Sequence, residues 1–338
     1  MKVTVQSPAN IGLIKYWGKA NNELFIPANT SISMTMSGCV TKTTVEVAPD
    51  LKEDSVEVKF FGDQYKVLGK SSIKERLIYD QIERIRSMAE SSNCVRIMSE
   101  NNFPADAGIA SSASSFSAIT AGLLIAYGLN EIYENKTELS KYIRLCGSGS
   151  AVRSVYGGFV AFQKGEGHED SIAIQLANED HWDLVDIVAV VDSEKKKVSS
   201  SRGHDLAASS PFYSVRMKEI EKRIVGLKEA IQDKDFESFG EIIETDHISM
   251  HCVTMTSKPP IFYWGPGTMR IIKDLQEWRE NEGLLAYSTI DAGANVHVIC
   301  QKRDAEEVQK RLEANEFVKW TIYNEVCEGV KQINKHLF

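Results

Sequence analysis

Residues 104–114 read Pro104-Ala105-Asp106-Ala107-Gly108-Ile109-Ala110-Ser111-Ser112-Ala113-Ser114. They lie between a short strand-like segment, Val95–Ser99, and an apolar stripe, Phe116, Ile119, Leu123, Leu124 and Tyr127, that recurs at helical spacing. The order is therefore strand, glycine- and serine-rich loop, helix. Gly108 and the small residues around it let backbone N–H groups approach an anion closely, and the N-terminus of the helix adds its dipole. Ser111 and Ser112 offer hydroxyls suited to phosphate oxygens or Mg²⁺. No Gly-Lys-Ser/Thr follows, so this is not a Walker A sequence. An ordinary serine-capped helix start has the same look, and the segment alone leaves both readings open.

Upstream, Thr41–Ala48 and Ser55–Phe61 alternate as strands, with Gly62-Asp63 as a turn before Gln64–Leu68. Ile73, Leu77, Ile78, Ile82 and Ile85 predict an amphipathic helix over Ser71–Glu90. Downstream, a second Gly/Ser cluster, Gly147–Ser150, precedes a strand over Gly158–Gln163. Leu184–Val191 is nearly continuous apolar sequence, as for a strand buried on both faces. Helices are expected over Ser214–Gln232, Phe236–Met250 and Gly267–Glu282, the last closed by Gly283. Strands Leu285–Ile290 and Val296–Cys300 follow, and Asp304 with Glu307 reads as a capping box opening a helix to Ala314. This β-α-β-β-α-β order resembles a split βαβ layer. The chain is read as α+β, with a boundary near residue 182 that divides it into 1–182 and 183–338.

Composition narrows the function. The 338 residues suit two domains, and 43% hydrophobic content supplies a full core. A net charge of −8 argues against a general nucleic-acid binder, although an anionic ligand could still be held by locally gathered cations. Six scattered cysteines form no CxxC pair, which fits a reducing cytoplasm better than a disulfide or zinc framework. No apolar run approaches the ~20 residues that cross a bilayer, and no signal-type apolar segment opens the chain.

Several loops gather the required charge. Asn10–Lys19 carries Lys15 and Lys19 around Tyr16 and Trp17, aromatics that would shield the lysines in an anion pocket; a solvated edge with a buried Trp is the plain alternative. In Gly147-Ser148-Gly149-Ser150-Ala151-Val152-Arg153, two hydroxyls flank a glycine and Arg153 can grip a carboxylate bidentately. Lys195–Arg202, with Ser201, is a third cluster, of a kind more often found as a charged surface turn. Asp291 ends an apolar strand, and becomes a general-base candidate only if it converges with these cations. His247 and His251 stand one helical turn apart, but without an HExxH pattern they read as packing rather than metal ligands.

Together, SPANIGLIKYWGK (7–19), Pro27-Ala28-Asn29-Thr30-Ser31-Ile32-Ser33, SENNFPADAGIASSAS (99–114), GSGSAVRSVYGGF (147–159), SKPPIFYW (257–264) and TIDAGAN (289–295) resemble the mevalonate diphosphate decarboxylases of the GHMP kinase superfamily. The resemblance implies a GHMP kinase fold, with a ribosomal-protein-S5-like N-terminal domain, a ferredoxin-like C-terminal domain and the active site between them. It implies ATP, Mg²⁺ and (R)-mevalonate 5-diphosphate as reactants, isopentenyl diphosphate, CO₂, ADP and phosphate as products, and a cytoplasmic homodimer. On matching positions it implies Asp291, Lys15, Arg153 and Ser112 as catalytic residues. Tyr16, Lys19, Ser148, Gly149, Ser150, Arg153, Ser201 and Arg202 would hold the substrate. Ser99, Asn101, Pro104, Gly108, Ala110, Ser111 and Ser112 would hold the nucleotide, with a serine, assigned as Ser112, on Mg²⁺.

The chain departs from the family pattern at three places. Asp106 stands where Ala or another uncharged residue is usual, Ala294 replaces Pro after Asp-Ala-Gly, and His204 stands where Met is common. Within the superfamily, the alternatives are a decarboxylase of mevalonate 5-monophosphate and a mevalonate 3-kinase, whose relatives lack the aspartate. A catalytically silent metabolite-binding protein is the remote one.

Overall fold

The computed structural model describes residues 1–104, 109, 111–194 and 196–338. The chain opens with β1 (Lys2–Ile14), a small hairpin of β2 (Lys19–Asn21) and β3 (Ile26–Pro27), and β4 (Ser31–Ala48). β5 (Ser55–Lys59), β6 (Lys66–Val67), α1 (Ile73–Met88) and β7 (Cys94–Asn101) follow. α1 returns the chain across the sheet, so β5 and β7 run parallel. Its start is fixed by a capping box in which Ser72 Oγ accepts the Glu75 N–H and Glu75 accepts the Ser72 N–H.

α2 (Ser111–Ala126) departs from the expected one-sided stripe, since every residue from Phe116 to Ala126 is buried. Small residues make that possible. A Cβ on Gly122 would lie 2.7 Å from Val45 Cγ2, so only glycine lets the helix lie this close to β4. α3 (Asn130–Glu134), α4 (Lys136–Leu145), a 3₁₀ turn at Gly149–Ser154, β8 (Phe159–Phe162) and β9 (Ala173–Ala177) complete this part.

β10 (Leu184–Val190) begins the second sheet and is buried throughout, as its apolar run predicts. Then come α5 (Ser200–Leu206), α6 (Tyr213–Asp233), α7 (Phe236–Met255), α8 (Pro266–Glu282), β11 (Ala286–Thr289) and β12 (Val296–Gln301). α9 (Ala305–Glu313), β13 (Trp320–Glu325) and β14 (Lys331–Ile333) end the chain. The second sheet has the antiparallel order β11-β12-β10-β13, the ferredoxin-like arrangement. β14 crosses back to pair with β1, so the first sheet runs β14-β1-β4-β7-β5-β6, with β8 on β4 and β9 on β8.

The expected capping box at Asp304 does not form. A 3₁₀ turn over Lys302–Asp304 puts Asp304 at φ −99°, ψ −7° rather than in extended backbone, and its side chain makes no cap hydrogen bond.

The two sheets share a core. Leu184, Val188 and Val190 from β10 pack with Ile11, Met34 and Met36 of the first sheet and with Ile220, Ile224 and Phe239 of α6 and α7. The opposite face of β10, at Val185, Ile187 and Ala189, packs against α8 and α9 through Ile271, Leu275, Val308 and Leu312. This sandwich brings the end of β1, the start of α2, the 3₁₀ turn, α5 and the end of β11 around one cleft.

Candidate active site

The cleft encloses about 540 Å³. Lys15, at the end of β1, and Asp291, just beyond β11, meet inside it with Nζ 2.6 Å from Oδ1. The lysine side chain is 3% exposed and the aspartate 23%, so only the carboxylate faces the open space appreciably. Burial pulls the Lys15 ammonium below its ordinary pKa, against the Asp291 charge, which pulls it up. Burial alone would raise the Asp291 carboxyl, but Lys15 outweighs that and holds it below the ordinary aspartate value. An ionised carboxylate thus stands beside an ammonium in a partly dry site.

The Lys15 backbone is clamped from both halves of the chain. Its N–H donates to Asp246 Oδ2 at 2.7 Å, and its carbonyl accepts from Asn29 Nδ2 at 3.1 Å and Arg216 Nη2 at 3.4 Å. Arg216 also grips Asp246 bidentately, at 2.9 Å and 3.2 Å. Both side chains are buried, at 1% and 0% exposed.

Arg153 is oriented by the first sheet. Its Nε donates to Asn10 Oδ1 at 3.1 Å and its Nη1 to Ser31 Oγ at 2.7 Å. No carboxylate among the described residues lies within ion-pair distance of it. Burial pushes its pKa down to about 10, opposed by Asp291 and Tyr16, so it stays charged at neutral pH. Asn10 in turn donates to Ser154 Oγ and to the Ser150 carbonyl, tying the Gly/Ser turn to β1. Ser148 and Ser150 hydroxyls bond each other at 2.8 Å, and Gly149 must be glycine, because a Cβ there would lie 2.7 Å from Tyr16 Cε1. The Tyr16 hydroxyl is buried with no partner among the described residues.

Of the residues singled out in the sequence, Lys15, Tyr16, Lys19, Ser111, Ser112, Ser148, Gly149, Ser150, Arg153, Ser201, Arg202 and Asp291 all line this cleft. Lys19 is engaged by Asp205 at 3.3 Å. Of the Lys195–Arg202 cluster, Lys195 lies outside the described residues, and the rest is more than a surface turn, since Ser199 caps α5 by accepting the Arg202 N–H and α5 forms one wall. Ser99, Asn101 and Pro104 are not brought into the lining. The Ser99 hydroxyl bonds Thr43 Oγ1 at 2.8 Å between strands, Asn101 Oδ1 accepts from Ser115, and Pro104 is buried. Asp106, Gly108 and Ala110 fall outside the described residues.

His247 and His251 are packing residues. His251 Nε2 bonds the Ile290 carbonyl at 3.3 Å, His247 Nε2 bonds Ser288 Oγ at 3.1 Å, and the His251 ring lies 4.7 Å from that of Trp264. Burial and nearby Lys15 push His251 down to about 3, which keeps it neutral. Asp246 and Arg216, which hold the Lys15 backbone, are residues that the sequence reading missed. Each interrupts a buried stripe, Arg216 with Ile220 and Ile224, Asp246 with Ile243 and Met250. A charge at a core position of a helix was the available signal.

Among the described residues no group of three His, Cys, Asp or Glu could hold a metal by itself. Ser111 and Ser112 instead offer hydroxyls at the first turn of α2, which contains no acidic residue. That donor set suits a hard cation arriving on phosphates, because Mg²⁺ keeps most of its ligands as water and phosphate oxygen.

Known proteins share this architecture. Residues 7–173 match the model of the diphosphomevalonate decarboxylase-like N-terminal domain, and residues 186–336 match that of the mevalonate 5-diphosphate decarboxylase C-terminal domain. The diphosphomevalonate decarboxylase of Debaryomyces hansenii is 35% identical over 319 residues, covering 89% of this chain and 80% of its own length. The mevalonate diphosphate decarboxylase structure from Staphylococcus aureus superposes with TM-score 0.88 at 32% identity, over 98% of both chains. A structure described as "MDDEF in complex with MVAPP, AMPPCP and Magnesium" superposes with TM-score 0.87 at 32% identity, over 99% of both. Both halves of the sequence and the whole fold agree, and the chain belongs to the diphosphomevalonate decarboxylase family.

Proposed function

We propose that this cleft is where the chain performs the reaction of its family, the ATP-dependent decarboxylation of (R)-mevalonate 5-diphosphate to isopentenyl diphosphate. The observation that carries the assignment is the Lys15–Asp291 pair, 2.6 Å apart, in a cleft walled by separate loops that bring lysine, arginine and serine side chains together. Mg²⁺-bound ATP supplies the phosphoryl group that makes the C3 oxygen a good leaving group. In this reading Asp291, held ionised, accepts the hydrogen bond of the C3 hydroxyl and takes its proton at Oδ as the oxygen attacks. Lys15 Nζ places positive charge beside that oxygen, where negative charge grows. Arg153 holds the substrate carboxylate in the plane that lets CO₂ leave as the C3–O bond breaks; the electron pair from the broken C–C bond becomes the new alkene.

Tyr16, Lys19, Ser148, Gly149, Ser150, Ser201 and Arg202 would hold the 5-diphosphate. Ser111 and Ser112 would face the nucleotide phosphates and Mg²⁺, with Pro104, Gly108 and Ala110 shaping that loop. Ser99 and Asn101, which do not line the cleft, would act only through their partners Thr43 and Ser115. The division into 1–182 and 183–338 belongs to the same reading and is supported by the change of sheet after Trp182. No helix of the described residues is long and apolar enough to cross a membrane. The family resemblance further supports a cytoplasmic homodimer, which light scattering on the purified protein tests.

The decisive assay is ADP and CO₂ release with mevalonate 5-diphosphate, compared with the 5-monophosphate. Stoichiometric release of both products with the diphosphate is expected. ADP without CO₂ would make the chain a 3-kinase, and a preference for the monophosphate would move it to that branch.

A further inference from the structure

His204 stands in α5, two residues after Arg202, and lines the same cleft. Its Nδ1 accepts the backbone N–H of Gly18 at 3.0 Å. A neutral imidazole that accepts at Nδ1 carries its proton on Nε2. The ring is held against Tyr16 and Trp17, with centroids 4.2 Å and 4.8 Å away and tilts of 41° and 33°. Position and tautomer are therefore both fixed by the protein. Nε2 has no hydrogen-bond partner among the described residues.

The charged groups that bear on this ring are Lys19, Lys196 and Arg153. Burial, and then these three cations, push its pKa down to about 3, so it stays neutral across the working pH range. Lys196 already donates to the Ala292 carbonyl at 2.8 Å, and Lys19 pairs with Asp205. A fixed N–H among cations calls for an acceptor that is itself anionic. The ring packs on Tyr16, and α5 carries Arg202 and, through Asp205, engages Lys19, the residues assigned above to the 5-diphosphate, so that acceptor belongs to the substrate end of the cleft.

Resting on the function proposed above, we infer that His204 is a substrate-binding residue whose Nε2–H donates to a phosphoryl oxygen of the 5-diphosphate. It adds a directional donor to the point charges of Lys19 and Arg202, and it does so without burying another charge.

His204→Asn tests this, because Asn keeps an oxygen for the Gly18 N–H but lacks a donor at the reach of Nε2. His204→Gln carries an amide N–H at about that reach. Calorimetric titration with inorganic pyrophosphate and with mevalonate 5-diphosphate should show the Asn variant binding both about 10-fold more weakly, with Gln within about 3-fold of wild type. In wild-type protein labelled with ¹⁵N, the protonated Nε2 resonance should move when pyrophosphate is added. Wild-type affinity in a normally melting Asn variant, Gln as weak as Asn, or an unmoved Nε2 resonance would each overturn the inference. The ADP and CO₂ assay on wild type judges the underlying reaction separately, and the pyrophosphate arm decides His204 whatever that assay returns.

Discussion

Asp246→Asn should be among the most damaging substitutions in the chain, although Asp246 is not placed against the substrate. Asp246 Oδ2 accepts the Lys15 N–H at 2.7 Å and Arg216 Nη2 at 3.2 Å, while Oδ1 accepts Arg216 Nη1 at 2.9 Å. Arg223 approaches Oδ1 at 3.5 Å. Asn preserves the volume but replaces one acceptor oxygen with a donor that faces N–H groups. It also leaves the Arg216 charge uncompensated at 1% exposure. Breaking a buried pair in this way costs about 3–5 kcal/mol. At roughly 2–3 °C of Tm for each kcal/mol in a chain of this size, calorimetry should find the melting point lowered by roughly 6–15 °C.

The same substitution should reach the chemistry through the Lys15 backbone. Released at its N–H, Lys15 shifts relative to Asp291, and a misplacement near 1 Å costs about 10²-fold in rate. Assayed well below its melting point, the variant should lose roughly 10- to 100-fold in kcat, with a smaller change in KM for ATP. Adding Arg216→Met removes the orphaned charge, so the double variant should recover much of the lost stability without recovering kcat, because the Lys15 N–H still lacks its carboxylate. The reasoning fails if Asp246→Asn melts within about 2 °C of wild type with normal kcat. It fails equally if the two substitutions add independently, because coupled partners in one buried pair should not.

Asp291→Asn retains shape but removes the proton acceptor, so kcat should fall by roughly 10²- to 10⁴-fold with little change in substrate affinity; near-normal turnover would remove Asp291 from the mechanism. Arg153→Lys keeps the charge but loses the planar fork, and rapid quench should catch 3-phosphorylated intermediate outlasting its wild-type lifetime, whereas Asp291→Asn should accumulate none. The pH profile follows from the two lowered pKa values: Asp291 remains ionised as pH falls to the ordinary aspartate value, while Lys15 loses its proton at a lower pH than an ordinary lysine as pH rises. kcat should therefore hold on the acid side through that value and decline early on the alkaline side, and a profile flat to pH 10.5 would contradict the burial of Lys15.

What was legible in the sequence was whatever local chemistry controls. The unbroken apolar run of β10, the stripes of α6 and α8 and the Gly283 cap with φ +69° depend on neighbours a few residues apart. The cation-bearing loops were legible too, because anion binding needs particular residue types wherever the fold brings them. Of the long β4, Thr41–Ala48 was read as a strand and the part from Ser31 was not. Ser31-Ile32-Ser33-Met34-Thr35-Met36 does alternate polar and apolar residues, but the structure buries both sets, so the hydroxyl face is not the solvent face that alternation implies. Those hydroxyls are satisfied from elsewhere, Ser31 by Arg153 and Thr35 by the Cys327 carbonyl at 2.6 Å. β14 was missed because its short, exposed sequence becomes a strand only by meeting β1 across the length of the chain. Asp246 was missed for the same reason, since the N–H it accepts lies 231 residues away.

An acidic chain holding a polyanion needs its field sorted by distance. The net charge of −8 acts through solvent, where screening extinguishes it beyond about 8 Å. Within the cleft the balance is reversed, because Lys15, Lys19, Lys74, Arg153, Lys196 and Arg202 line it against only Asp205 and Asp291 among the described residues. Each of those two carboxylates is paired with a lysine, but the pairs are not equivalent. Lys19–Asp205 spans 3.3 Å with Asp205 44% exposed, and a surface pair of this kind contributes only about 0–1 kcal/mol. A diphosphate, with several charged oxygens, can draw Lys19 away at little cost. Lys15–Asp291 spans 2.6 Å with the lysine almost wholly buried, its backbone is clamped by Asp246, and separating it would leave an unsolvated ammonium. In the proposed reaction the exposed pair therefore exchanges on binding and the buried pair persists into the chemistry. That difference gives Lys19 a binding role and leaves Lys15 beside Asp291 when the C3 proton moves.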